Sequence, residues 1–307
     1  MKKIAIVIHG GAGEDSDFIK QNKAAYEEGL KAAAQSGYNV LKQGGSAVDA
    51  VEKAVNSLEN NPLFNAGRGS ALNNRGEVEM DAAIMDGKEL KAGAISMVRN
   101  VKNPISLARK VLEETNHVLI SGYGAMEFAA NQNVPLETDS YFITDHQQEV
   151  FMESSSKESR QDLMKKQIHG TVGAVALDEN GNVAAATSTG GIENSLPGRI
   201  GDSCIIGSGC YANNETCAVS ATGDGEYIIT GVIAHSVSMC LEFMKGTLQE
   251  ACDEVIQIRN KNNNGDMGII SINKNAEIGM SFNSERMHRA WIDAEGKSGV
   301  GIYPGEA

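Results

Sequence analysis

The 307-residue chain is short of several things. Proline occurs 5 times and aromatic residues make up 5%, with Trp291 the single tryptophan. With so little proline and with glycines in clusters, collagen is excluded. No run approaches the roughly 18 apolar residues of a membrane span. Basic residues are also scarce, 27 against 40 acidic, which leaves a net charge of −13 with no Lys/Arg cluster. Nucleic acid and anionic membranes are therefore not expected partners. The apolar run IAIVI, residues 4–8, is too short for a signal h-region and ends at His9 and Gly10 without a small-residue cleavage site. A cytoplasmic protein is expected. The five cysteines (Cys204, Cys210, Cys217, Cys240, Cys252) are odd in number and lack CxxC spacing or a paired-histidine motif. They read as reduced, buried small residues rather than zinc ligands or disulfides.

Familiar catalytic kits are missing too. There is no GxSxG elbow and no HExxH, and the six histidines are scattered. The GlyLysSer at 296–298 fails as a phosphate loop, because Trp291 stands where the first glycine is required. His9 reads as a structural hydrogen-bonder at a strand end.

What is abundant is glycine, 34 of 307 residues, where average usage is about 7%. It gathers at 9–13 (HGGAG), 65–69 (NAGRG), 190–209 and 222–225 (TGDG). Each cluster follows a strand-like run, and together they mark places where backbone turns tightly or approaches something closely.

The pattern predicts a buried strand at 3–8, then helices at 18–41 and 46–58, the second capped by Ser46. A strand at 90–98, a helix opened by Pro104 and a strand at 117–121 follow. Residues 147–170 turn polar and read as an exposed linker. After it, TVGAVALDENGNVAAATSTGG is a hairpin about an Asn180-Gly181 turn. Strands are expected at 202–207 and 215–222, helices at 226–244 and 248–259, and three strands at 267–273, 276–282 and 288–293. Such an order suits sheets covered by helices.

Threonine is the remaining nucleophile. Its hydroxyl needs a base, and its own α-amine, with a pKa of about 7.7–8.0, is one. That requires a free N-terminus, made by cutting where the linker meets the buried strand, at Gly170-Thr171. On composition alone Thr171 reads as the first residue of a strand rather than as a nucleophile.

These segments, together with LPGRIGDS, GCYANN, TGDGE, GGSAVDAVEKAV and NPLFNAGRGSALN, resemble the isoaspartyl peptidase/L-asparaginase family of N-terminal nucleophile hydrolases over residues 4–293. The resemblance implies an α+β, four-layer αββα sandwich with two antiparallel sheets between helical layers. It implies an α subunit (1–170) and a β subunit (171–307) within one folded domain, and release of aspartate from β-aspartyl dipeptides and L-asparagine. It also implies dimers of αβ heterodimers.

Position by position, the resemblance makes Thr171 the nucleophile, freed by cleavage after Gly170, with Thr189 orienting it. Arg199 corresponds to the residue that grips the substrate α-carboxylate, Asp202 to the one that takes the α-amine, and Thr222 and Gly223 to the oxyanion hole. Gly225 lines the pocket and Asn65 bonds near the nucleophile. No catalytic cofactor is implied. A structural sodium ion would sit among the carbonyls of Leu58, Glu59, Asn61, Phe64, Ala66 and Arg68. Without the resemblance, Arg199 and Asp202 read as a surface ion pair. Asp224 departs from relatives with uncharged residues there and would favour cationic groups. TGDG also resembles glycosylasparaginases, and a non-catalytic small-molecule-binding protein is the reading from another class.

Overall fold

The computed structural model describes residues 3–156, 170–244, 246–261 and 265–306. An eight-stranded sheet runs in the order β12 (Ser298–Gly301), β11 (Arg286–Ile292), β1 (Ala5–Gly13), β5 (Val172–Leu177), β6 (Val183–Thr189), β2 (Met80–Asp86), β3 (Lys91–Val98) and β4 (Leu119–Ser121). Beside it lies a four-stranded sheet, β10 (Ile278–Phe282), β9 (Met267–Ile272), β8 (Ala218–Gly223) and β7 (Cys210–Ala212). Both sheets are antiparallel except where β3 and β4 pair in parallel, a departure from the expected wholly antiparallel sheets.

Side-chain alternation assigns the layers. Ile6, Ile8, Ala174, Ala176, Ala184 and Ala186 point into one apolar cluster, shared with α2 (Lys23–Lys42), α3 (Ala47–Glu59) and α4 (Pro104–Glu114). Their neighbours Ala5, Val7, Val175, Leu177, Val183 and Ala185 point into a second cluster, shared with Ala218, Ile270 and Ile272 of the small sheet. A period of two buried on both faces is what a central strand between two layers requires. On the far side of the small sheet, Val219, Ala221 and Ile269 meet the helices α8 (Gly225–Gly231), α9 (Ile233–Phe243) and α10 (Leu248–Asp253). The result is helix, sheet, sheet, helix, as the resemblance implied. No described helix is long and apolar enough to cross a membrane, and all five cysteines are buried and free.

Several local expectations hold. Ser46 caps α3 in a box with Asp49. The β5–β6 hairpin closes where Asp178 Oδ1 accepts the Asn180 and Asn182 N–H groups and Gly181 takes φ +82. Others need correction. The helix expected at 18–41 breaks at Asn22, whose side chain turns back onto the Phe18 carbonyl at 2.8 Å, leaving a separate α1 (Asp17–Gln21). The helix at 226–244 breaks at Val232, which is left-handed at φ +49. Residues 202–207 are turns rather than a strand, with the Ile205 N–H bonded to the Asp202 carbonyl. The helix at 248–259 finishes as a π-helical turn over Glu254–Arg259.

Between β4 and β5 lie α5 (Gly122–Asn131), α6 (Asp139–Phe142) and α7 (Asp145–Ser156). The first ten residues of the expected linker, 147–156, thus belong to a helix, and 157–169 lie outside the described residues. GlyLysSer 296–298 falls on the turn between β11 and β12, with no helix after it.

The close approach of α2 and α3 to the sheet depends on Gly37. A Cβ there would stand 2.4 Å from Ile6 Cδ1 and 2.7 Å from the Ala50 carbonyl oxygen. Gly37→Ala is expected to lower unfolding free energy by about 1–3 kcal/mol through overpacking. Urea unfolding reads this as a lower midpoint at constant slope, and an unchanged midpoint would contradict it.

Candidate active site

Thr171 immediately precedes β5, and the register that pairs Val172 with Ser188 brings it beside Thr189 at the end of β6. The Thr171 hydroxyl donates to Thr189 Oγ1 at 3.3 Å. Thr189 Oγ1 accepts the Gly191 N–H at 3.1 Å and donates to the Gly170 carbonyl at 3.4 Å. Asn65 pins the turn that follows: its Nδ2 donates to the Gly191 carbonyl at 2.7 Å, and its own carbonyl accepts the Gly190 N–H. Its Oδ1 accepts the Ala71 N–H at 2.7 Å. A Cβ on Gly170 would lie 3.1 Å from Asn65 Cβ, and one on Gly11 only 2.9 Å from Gly170 Cα. Gly11 of HGGAG and Asn65 of NAGRG therefore crowd the same junction from two sides.

His9 is fully buried below it. Its Nδ1 lies 3.0 Å from the Thr171 carbonyl oxygen, an atom that only accepts, so Nδ1 carries the proton. Nε2 then accepts from the Ser220 hydroxyl at 2.9 Å. Neither nitrogen is placed to take the Thr171 hydroxyl proton, which agrees with the structural reading of His9. Ser220 and Thr222 share one face of β8. Where β1 slips its register against β11, the Ala12 N–H bonds Thr222 Oγ1 at 3.2 Å. Gly223 has φ +130, and a Cβ would collide with the Asp266 carbonyl at 2.1 Å.

The charged residues gather around Gly225, where a Cβ would stand 2.7 Å from Arg199 Nη2 and 3.0 Å from Asp202 Oδ1. Arg199 and Asp202 do not form the surface ion pair that the bare sequence allowed. The Arg199 fork instead takes both oxygens of Glu226, at 2.9 and 2.8 Å, and the Glu226 side chain is 58% exposed. Asp202 is 3% exposed, and its Oδ2 has no hydrogen-bond partner. Burial pushes its carboxyl up to about 7. Asp81 Oδ2 accepts the Gly201 N–H at 3.4 Å, while Asp81 itself pairs with Thr189 across β2 and β6. This strand contact ties the charged loop to the threonines. Asp224 Oδ2 accepts the Asp266 N–H at 3.0 Å, so it holds a neighbouring loop.

The carbonyl loop after α3 bends back on itself. The carbonyls of Glu59, Asn61 and Phe64 accept the backbone N–H groups of Arg68, Phe64 and Ala66, and that of Leu58 accepts those of Asn60 and Asn61. A set of backbone oxygens suits a hard cation. The Glu59 carboxylate faces away, accepting from Ser188 Oγ at 2.7 Å and from Ile105 N–H at 2.9 Å. Burial raises it to about 7.

Sequence reasoning missed Ser220, Glu226 and the lining of a cavity of about 220 Å³ beside Gly170 and Asn65, which includes Glu193, Arg286 and His288. Only Ser220 left a trace, as the residue two before Thr222 on a strand.

A layered fold with a threonine at a glycine junction, backed by a second threonine and an Arg/Asp loop whose aspartate is buried, is the setting of an amide hydrolase. Residues 2–302 match the asparaginase family, and the chain belongs to it. It is 43% identical to the isoaspartyl peptidase/L-asparaginase of Xenopus laevis over 304 residues, covering 99% of this chain and 96% of that protein. It is 41% identical to the isoaspartyl peptidase of Escherichia coli (strain K12), covering 99% and 97%. It is 45% identical to the isoaspartyl peptidase/L-asparaginase of Bos taurus, covering 98% and 96%.

Burial holds His9 at about 3, below its ordinary 6.5. As pH falls below about 6.5 the unfolded chain therefore takes up a proton that the folded one refuses, and stability declines with a slope of up to about 1.4 kcal/mol per pH unit from this residue. Asn in its place keeps a donor for the Thr171 carbonyl but does not titrate. His9→Asn should thus show a shallower loss of stability between pH 6.5 and 4 in urea titrations. Parallel curves for the two proteins would contradict it.

Proposed function

We propose that the chain is a precursor that cuts itself between Gly170 and Thr171, and that mature Thr171 hydrolyses β-aspartyl dipeptides and the side-chain amide of L-asparagine. The observation that carries this reading is the hydroxyl of Thr171 bonded to Thr189, which in turn donates to the Gly170 carbonyl. Thr189 thus polarises the bond to be broken. Thr171 Oγ1 attacks the Gly170 carbonyl carbon, the C–N bond breaks, and the hydroxyl proton ends on the departing nitrogen. Water hydrolyses the resulting ester, leaving a Gly170 carboxylate and a free Thr171 amine. The crowding of Gly170 by Asn65 and Gly11 supports a backbone held for this step.

In the mature enzyme the amine accepts the Thr171 hydroxyl proton as Oγ1 attacks the substrate carbonyl. Thr222 already accepts the Ala12 N–H. Its own proton can therefore point at the forming oxyanion, with the Gly223 N–H beside it, and such a donor lowers the barrier by about 3–4 kcal/mol. The amine then returns the proton to the leaving nitrogen, ammonia or an amino acid departs, and water releases aspartate. Arg199 would exchange the exposed Glu226 for the substrate α-carboxylate, bound by both its oxygens. Asp202, buried with an unpartnered oxygen, would receive the α-amine. The names of the relatives support both substrate classes.

Thr171→Ala tests this. The variant is expected to remain one chain of 32.6 kDa by mass spectrometry and to release no aspartate, while the parent yields two fragments and turns over both substrates. Cleavage or turnover by the variant would contradict the scheme.

Sodium among the carbonyls of 58–68 would hold the end of α3 and, through Glu59 and Ser188, the strand behind Thr171; it takes no chemical part. Exchange of sodium for choline should lower the melting temperature, and an unchanged value would exclude the ion. The five buried thiols suit a reducing compartment, so we place the protein in the cytoplasm, assembled as a pair of αβ units. Cell fractionation and size-exclusion chromatography test these two points, and a secreted or monomeric mature protein would refute them.

A further inference from the structure

The cavity beside Gly170 is lined by two charged side chains, Arg286 and Glu193, that have no oppositely charged partner among the described residues. Arg286 is 3% exposed. Its Nε donates to the Glu14 carbonyl at 2.9 Å, and its Nη1 donates to His288 Nδ1 at 3.2 Å. Among the described residues no carboxylate stands within ion-pair distance of it. His288, stacked on Tyr26 at 4.5 Å, accepts from Arg286 at Nδ1 and so carries its remaining proton on Nε2. Glu193 also lines this cavity, and no described residue bonds to its carboxylate. An isolated buried charge such as that of Arg286 is costly unless something pairs with it.

The position of the cavity says what that partner is. In amide hydrolysis the leaving nitrogen must lie next to the group that protonates it, here the Thr171 amine. That amine is the atom to which Gly170 is bonded before maturation, and Gly170 lies on the cavity wall. The acyl half of the substrate is gripped by the Arg199 and Asp202 loop, a separate wall. The leaving half therefore points into the cavity, whose volume of about 220 Å³ is of the order of one amino acid.

We propose that this cavity is the subsite for the departing amino acid of a β-aspartyl dipeptide, with Arg286 binding its carboxylate and Glu193 selecting a cationic side chain. The inference rests on the hydrolase reading above. A second carboxylate on the same wall, Glu153, adds to the negative field there. L-Asparagine, whose leaving group is ammonia, does not enter the subsite.

The test compares kcat/KM of the matured enzyme for β-aspartyl-lysine, β-aspartyl-leucine, β-aspartyl-leucinamide and asparagine. The parent should prefer lysine over leucine, and leucine over its amide, each by about tenfold, the size of one good polar contact. Glu193→Gln should bring the lysine-to-leucine ratio near one, and Arg286→Gln should erase discrimination against the amide, with asparagine turnover changed less than about twofold in both. Circular dichroism and melting temperature show whether Arg286→Gln still folds, and Glu193→Gln carries the test on its own if it does not. Ratios untouched by both variants, or losses shared equally with asparagine, overturn the subsite. Failure of the matured parent on all four substrates overturns the hydrolase reading, and the subsite with it.

Discussion

The antiparallel pairing of β5 with β6 is the constraint on which the rest of the molecule depends. Both strands are buried on both faces by small residues, alanines above and below, and this lets helices close on one side and a second sheet on the other. A one-residue slip would send the side chains that meet the helices to the second sheet and the reverse. The same register that satisfies the core therefore fixes Thr171 against Thr189 to within a hydrogen bond. Packing energy, spread over dozens of contacts, thus positions a pair of hydroxyls that could not hold each other unaided.

Around that fixed pair the electrostatics are arranged by omission. Among the described residues, Asp202 lacks a partner for one oxygen, Arg286 has no carboxylate at ion-pair distance, and no cation pairs with Glu193. Arg199, by contrast, is satisfied by Glu226, whose exposure makes it exchangeable. Burial raises the cost of each unmatched charge. A zwitterionic ligand with charges in the right places recovers that cost on binding, whereas a neutral amide of similar size does not.

Much of this was legible in the sequence where local chemistry dictates structure. The Asn180-Gly181 turn, the Ser46 cap and Pro104 at a helix start each act within a few residues, and the glycine clusters marked the junction and the charged loop. What stayed hidden depends on distant parts of the chain. MDAAIMD, now β2, is buried on both faces and so shows no alternation. The helix α7 is polar enough to read as linker, because Phe151 and Val150 offer only a narrow apolar side. Arg286 and His288 lie on a strand whose pattern announces only β11, and their meeting with Glu193 follows from tertiary packing alone.

The account stands on Thr171 Oγ1 being the atom that carries the acyl group once the bond before this residue is gone. Acid quenching during asparagine turnover, followed by fragment mass spectrometry, tests this directly. The expected result is one aspartyl group in ester linkage on the fragment that begins at Thr171. Turnover that leaves this fragment unmodified while the aspartyl group sits on another residue would contradict it.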